Sequence, residues 1–146
     1  MNKFRKNAYT LIELLMVMAI IGGLVTLFMT TYPASQRRSR DALRRNDIKQ
    51  YQSLLEVWAS SHNNFYYVAS GNLALQCTTL GLTTAQCQND TDNPYQILST
   101  ETSYVIWAQM EQPNNDGNTE YFIACSNGAT GMSETEPTSA VCPAAF

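Results

Sequence analysis

The most telling scarcity in this 146-residue chain is of positive charge: from Ser60 to the end there is no lysine or arginine. Eight acids stand in that stretch: Asp90, Asp92, Glu101, Glu111, Asp116, Glu120, Glu134 and Glu136. A generic nucleic-acid surface needs cations to neutralise phosphate, so the C-terminal part argues against that class. Histidine is nearly absent too, since His62 is the only one. It sits in the polar stretch Ser60-Ser61-His62-Asn63-Asn64 and reads as a solvated loop residue rather than a base. With one His, no Lys beyond Lys49 and no CxxC pair, neither a nucleophile–base arrangement nor a zinc site takes shape, and no enzyme activity or cofactor is expected. No EF-hand spacing and no internal repeat occur.

What is present is a long apolar run. Residues 8–32, AYTLIELLMVMAIIGGLVTLFMTTY, follow a basic cap of Lys3, Arg5 and Lys6 and contain one charge, Glu13. A helix of that length spans the roughly 30 Å hydrocarbon layer. The run exceeds the usual apolar region of a cleaved secretory signal, and no A-x-A site follows it. A carboxylate at the centre of such a helix costs about 2.5–3.5 kcal/mol, less near the interface, and so calls for a function. Gly22, Gly23 and Pro33 each weaken a helix interior, which marks residues 22–33 as a stretch able to bend or unwind, or to pack closely against another helix.

Beyond the run, residues 33–60 carry an amphipathic pattern. Leu43, Ile48, Tyr51, Leu54, Leu55 and Trp58 recur at helical spacing, with Arg37, Arg38, Arg40, Arg44, Arg45 and Lys49 mostly on the other faces. Asp41 and Arg45 form an i,i+4 pair. Strands are expected at Phe65–Ala69, Tyr95–Leu98, Tyr104–Met110 and Glu120–Cys125, the last two as a hairpin across the turn-rich residues 111–118. Residues 126–146, rich in Gly, Ser, Thr and Pro, read as a loop. Tyr66, Tyr67, Tyr104, Trp107 and Tyr121 read as sheet core and face residues.

Basic residues flank the apolar run on both sides, so charge counting does not decide its orientation. The four cysteines do better. Cys77, Cys87, Cys125 and Cys142 all fall in residues 61–146, and an even set without metal spacing points to disulfides outside the cytoplasm. Three pairings are possible; Cys77–Cys87 with Cys125–Cys142 closes two short loops, each bridge stabilising by about 2–4 kcal/mol.

The string KNAYTLIELLMVMAIIGGL closely resembles the N-terminal signature of type IV pilins and pseudopilins. Ala8 and Tyr9 stand where that family usually has Gly and Phe. The resemblance implies a leader of residues 1–8 cut by a prepilin peptidase between Ala8 and Tyr9, N-methylation of Tyr9, and assembly into a helical filament in which Glu13 meets a neighbour's Tyr9 amine. It implies an α+β fold: a long N-terminal helix, membrane-spanning over 9–32 and amphipathic over 33–60, packed on a small antiparallel sheet in a head of residues 61–146. The expected function is that of a structural subunit, a major pilin of a type IV pilus-like filament serving adhesion or motility. Its partners would be copies of itself, the membrane, the peptidase and an inner-membrane assembly platform with its ATPase. Two alternatives are a pseudopilin of a type II secretion or DNA-uptake machine, and a membrane-anchored surface binding protein that does not polymerise. Some type II secretion pseudopilins hold calcium in the head; Asp90, Asp92 and Asp116 offer oxygen ligands, but Asp/Asn turns have the same appearance and no metal is assigned. Asn89-Asp90-Thr91 fits an N-glycosylation acceptor and is equally unassigned.

Overall fold

A computed structural model describes residues 9–81, 83, 87, 89–90 and 92–143. Lys3, Arg5, Lys6 and Ala8, and Thr91 of the Asn89 triplet, lie outside these residues. The elements in chain order are α1 (Leu11–Ser61), β1 (Ser70–Asn72), α2 (Leu73–Gln76), β2 (Gln96–Ser99), β3 (Tyr104–Gln109), β4 (Tyr121–Cys125) and β5 (Thr130–Ser133). The class is α+β. The chain divides into two compact units, Met1–Gln36 and Arg37–Phe146.

In the first unit, the segment Leu11–Met29 of α1 is 19 residues long, about 28 Å of helix, and is apolar enough to cross a membrane. None of it is buried within the chain. Gly22, Gly23 and Pro33 all lie inside α1.

The second unit is a five-stranded antiparallel meander, β1-β2-β3-β4-β5, with the later part of α1 against one face. Alternation along β3 divides its side chains between two cores. Tyr104, Ile106, Ala108 and Met110 join Ile97, Phe122 and Ala124 under Ile48, Tyr51 and Leu55 of α1. Val105 and Trp107 join Ile123 and Cys125 on the opposite face, beneath Tyr121 and Cys142. β3 is therefore buried on both faces except for Gln109. Cys77 pairs with Cys87 and Cys125 with Cys142, at Cα separations of 5.9 and 5.7 Å. The second bridge ties the C-terminal segment to the face away from α1.

The helix ends where Asn63 and Asn64 adopt left-handed backbone (φ 57° and 63°) and the Asn64 amide donates back to the Ala59 carbonyl at 2.9 Å. Asparagine tolerates that conformation better than most residues. The turn between β4 and β5 needs Gly128 at φ 84°, with its amide donating to the Cys125 carbonyl.

Four expectations change. Phe65–Ala69 is not a strand: Ser99 Oγ accepts from the Ala69 amide and donates to the Tyr67 carbonyl, replacing ladder bonds, and β1 forms one residue later at Ser70. The Tyr95 strand begins at Gln96, with Tyr95 buried just before it. Residues 126–146 contain β5, which pairs with β4 from Tyr121↔Ser133 to Ala124↔Thr130. A Thr-Gly-Met-Ser sequence has little strand character alone; the pairing edge of β4 and the packing of Met132 on the core supply it. Lastly, Leu43 is exposed and Arg44 is buried, the reverse of their expected faces.

Candidate functional site

The start of α1 holds the residues that the sequence singled out for assembly. Tyr9 is 81% exposed. The Glu13 amide donates to Thr10 Oγ1 at 3.4 Å, and the Thr10 amide donates to Glu13 Oε2 at 3.5 Å. This reciprocal arrangement is a capping box: a hydroxyl at the cap and a carboxylate three residues on satisfy two amides that the helix leaves open. Glu13 thus has a local partner inside its own chain. The T-x-x-E spacing before an apolar run carries that signal in the sequence, beside the assembly role that the resemblance implies for the acid.

Around Glu13 the apolar side chains Leu11, Ile12, Leu14, Leu15, Met16 and Val17 are all exposed. A methyl group added at Gly22 or Gly23 would meet nothing within 4 Å, so within the chain these glycines serve no close approach. A continuous apolar surface on this scale marks contact with lipid or with other protein.

The second site is one that the sequence reading missed. On α1, Asp41 and Arg44 are buried beside the end of β3, with side chains 6% and 3% exposed. Arg44 Nη2 lies 2.6 Å from Asp90 Oδ2 and 2.7 Å from Glu111 Oε1. Arg44 Nε also donates to Asp90 Oδ2 at 2.7 Å, and Nη1 donates to the Gln109 carbonyl at 3.1 Å and to Asp41 Oδ1 at 3.4 Å. The Asp41 oxygens accept the amides of Glu111 (2.8 Å) and Gln112 (3.0 Å). Arg40 closes the outer side with a two-pronged contact to Glu111. Helix, strand end and the loop after the first disulfide are therefore locked by one guanidinium with every donor direction used.

The electrostatics follow. Burial pushes the Asp90 carboxyl up, but hydrogen bonds from Arg44 and from the Asp92 and Asn93 amides outweigh it and hold it below the ordinary carboxylate range. Glu111 is held low by its hydrogen bond from Arg40, against burial and with the Arg44 charge adding to it. Farther along α1, carboxylates receive sheet tyrosines: Tyr95 donates to Asp47 at 2.6 Å and Tyr104 to Glu56 at 2.7 Å. Burial and these carboxylates push both phenols up. Burial, with the nearby Asp47 charge, pushes the Tyr51 phenol up to about 12.

This cluster decides the fate of the oxygen-ligand candidates. Asp90 is spent on Arg44 and on turn amides, while Asp92 and Asp116 are exposed in separate loops. Among the described residues no group of three or more His, Cys, Asp or Glu could hold a metal ion. Glu134 is held by the Asn114 and Asn118 amides, and Glu136 accepts from the Trp107 indole at 3.2 Å. His62 is exposed in the turn after α1, stacked on Trp58 at 3.8 Å with Nδ1 2.9 Å from the Trp58 carbonyl oxygen.

In comparisons with protein-family models, curated proteins and solved structures, nothing matches this chain. Any functional reading therefore rests on its own residues.

Proposed function

We infer that this chain is a structural subunit of a type IV pilus-like filament, a major pilin assembled through its N-terminal helix. One observation carries the reading: Leu11–Met29 is wholly exposed, and no described residue before Ile48 belongs to either core. An unused apolar helix of that length has two solvents to choose from, lipid and its own copies, and a filament subunit uses both in turn. Before assembly the helix would sit in the inner membrane with the disulfide-bearing head outside the cytoplasm. Cleavage by a prepilin peptidase between Ala8 and Tyr9 and methylation of Tyr9 would follow, then extraction by an assembly platform driven by its ATPase.

Burial of helix against helix supplies association energy in the filament. Glu13 then has two alternative partners, its own cap and a neighbour's Tyr9 amine. Placed among apolar helices, an ionised carboxylate held only by the neutral Thr10 amide is poorly compensated, whereas an ammonium removes both charges at once. A subunit out of axial register would leave that charge unpaired. The intact mass of the chain from its native membrane tests the proposal. Loss of residues 1–8 with gain of one methyl group is expected, together with filaments seen by electron microscopy; a full-length, unmodified N-terminus would reject it in favour of a plain anchor.

A further inference from the structure

The folded chain sorts its charges. Of the basic residues on the later part of α1, Arg40 and Arg44 are consumed by Asp41, Asp90 and Glu111. Arg37 stays exposed, as do Arg38, Arg45 and Lys49, and among the described residues none of these last three has a carboxylate partner. Their spacing of seven and four places them in one row along a flank of the helix. Arg45 and Lys49 are fixed there over the Phe122 ring, each 6.0 Å from its centroid. Apart from these ring contacts and a hydrogen bond from Arg38 to the Gln112 side chain, the row of like charges repels itself and meets no carboxylate within the described residues.

The surplus of opposite sign lies elsewhere. Glu134 and Glu136 follow β5 and are held in place by Asn114, Asn118 and Trp107. Trp107 belongs to the core on the sheet face away from α1. The cationic row and Glu136 therefore occupy opposite faces of the same unit, Glu134 sits beside the β3–β4 loop, and neither acid has a Lys or Arg available beyond residue 59.

We propose that the Arg38–Arg45–Lys49 row docks on the Glu134/Glu136 face of a second copy of this chain. The two patches differ, so the contact is head-to-tail. Each copy that offers its row still presents Glu134 and Glu136, without an ion-pair partner of their own among the described residues, to the next. Such contacts continue into rings or open helices rather than closing as a dimer. The proposal deepens the filament reading and rests on it for the polymer, but it assigns the head its own contact, separate from the apolar helix. Ionic strength becomes its regulator, because exposed pairs are screened by salt.

Lys49 is the only lysine after Lys6, which makes the contact chemically addressable. A carbodiimide joins an amine to a carboxylate it touches, with loss of water. Full-length chain, half of it isotopically labelled, would be reconstituted in phosphatidylcholine vesicles and coupled at low salt. The expected product is a mixed-isotope peptide pair joining Lys49 to Glu134 or Glu136. Lys49 joined to other carboxylates, or no mixed pair, overturns the proposal; a pair that forms only when anionic lipid is added also overturns it and assigns the row to headgroups.

Charge reversal supplies the second arm. Arg45→Glu with Lys49→Glu should lower sedimentable polymer about tenfold or more, since like charges then face each other. Adding Glu134→Lys and Glu136→Lys to that variant should restore it, which no misfolded protein would do. The N-terminal mass of chain taken from its native membrane reads the filament proposal separately: processed chain there, with no Lys49 link in the vesicles, leaves that proposal standing and removes this one.

Discussion

Arg44 Nη2 sits 2.6 Å from Asp90 Oδ2 with the Arg44 side chain 3% exposed, so α1 is pinned to the loop before β2 through a largely buried ion pair rather than through apolar contact alone. Sequence separation makes the contact consequential. Asp90 lies in the loop after the Cys77–Cys87 bridge, and the pair joins that loop to α1 near the start of the second unit.

Removing Arg44 should therefore cost far more than removing its neighbour. Arg44→Ala leaves Asp41, Asp90 and part of Glu111 uncompensated and should destabilise by about 3–5 kcal/mol. Arg40→Ala removes a half-exposed pair and should lower the urea midpoint far less. Urea unfolding of the full chain in detergent measures both, and equal losses would reject the latch.

The same cluster sets an acid limit. Asp90 and Glu111 have folded-state values below their unfolded ones. Their contribution is fully present above the unfolded carboxylate value of about 4 and is lost as pH falls through the lower folded values. Urea midpoints measured from neutral pH down to about 2 should drop in that window. Asp90→Asn should show a shallower drop, and a slope unchanged by that variant would contradict the assignment.

At the alkaline end the sign reverses. The Tyr51 phenol is held protonated up to about 12, so its contribution is present below the unfolded value of about 10 and lost as pH rises through about 12. Ultraviolet titration should show Tyr51→Phe abolishing one late phenolate step. Loss of an early step instead would place Tyr51 in an open environment.

Breaking the Cys125–Cys142 bridge should release the cover over the second core. Cys125→Ser with Cys142→Ser is expected to cost about 3 kcal/mol and to red-shift the emission of Trp107, which is 5% exposed. The Cys77→Ser, Cys87→Ser pair leaves that face alone and should not move Trp107 emission. Trp58→Phe in both backgrounds isolates the signal.

At the start of α1, cap and charge can be separated. Glu13→Gln keeps the capping box, because glutamine also serves at that position, but removes the charge. It should preserve membrane insertion and lose filaments, as Glu13→Ala should. Thr10→Ala removes the cap at a cost of about 1 kcal/mol and should leave filaments. Filament yield from Glu13→Gln equal to the parent chain would reduce Glu13 to a helix cap.

Much of this was readable from residue types in order. The apolar run of residues 8–32 needs no partner to declare itself, because its length and its single charge are local facts. The alternation in Tyr104–Met110 announces a strand for the same reason, although it does not say that both faces are buried. The helix stop at Ser60–Asn64 and the Thr10-x-x-Glu13 cap are local as well.

Arg44 shows where local reading ends. It lies four residues before Ile48 and seven before Tyr51, on the same line as Leu55, so helical period alone places it on the inward face. Its charge argued the other way. Which argument wins depends on whether carboxylates from residues 90 and 111 meet it there, and only the fold brings them. β5 is of the same kind, a weak sequence made into a strand by the free edge of β4. Chain-local properties (the membrane-length helix, its cap, the charge asymmetry, the even set of cysteines) were settled by sequence. The buried latch, the two-faced sheet and the sorting of paired from unpaired charge were decided by tertiary structure, because each is a pairing of residues far apart in the chain.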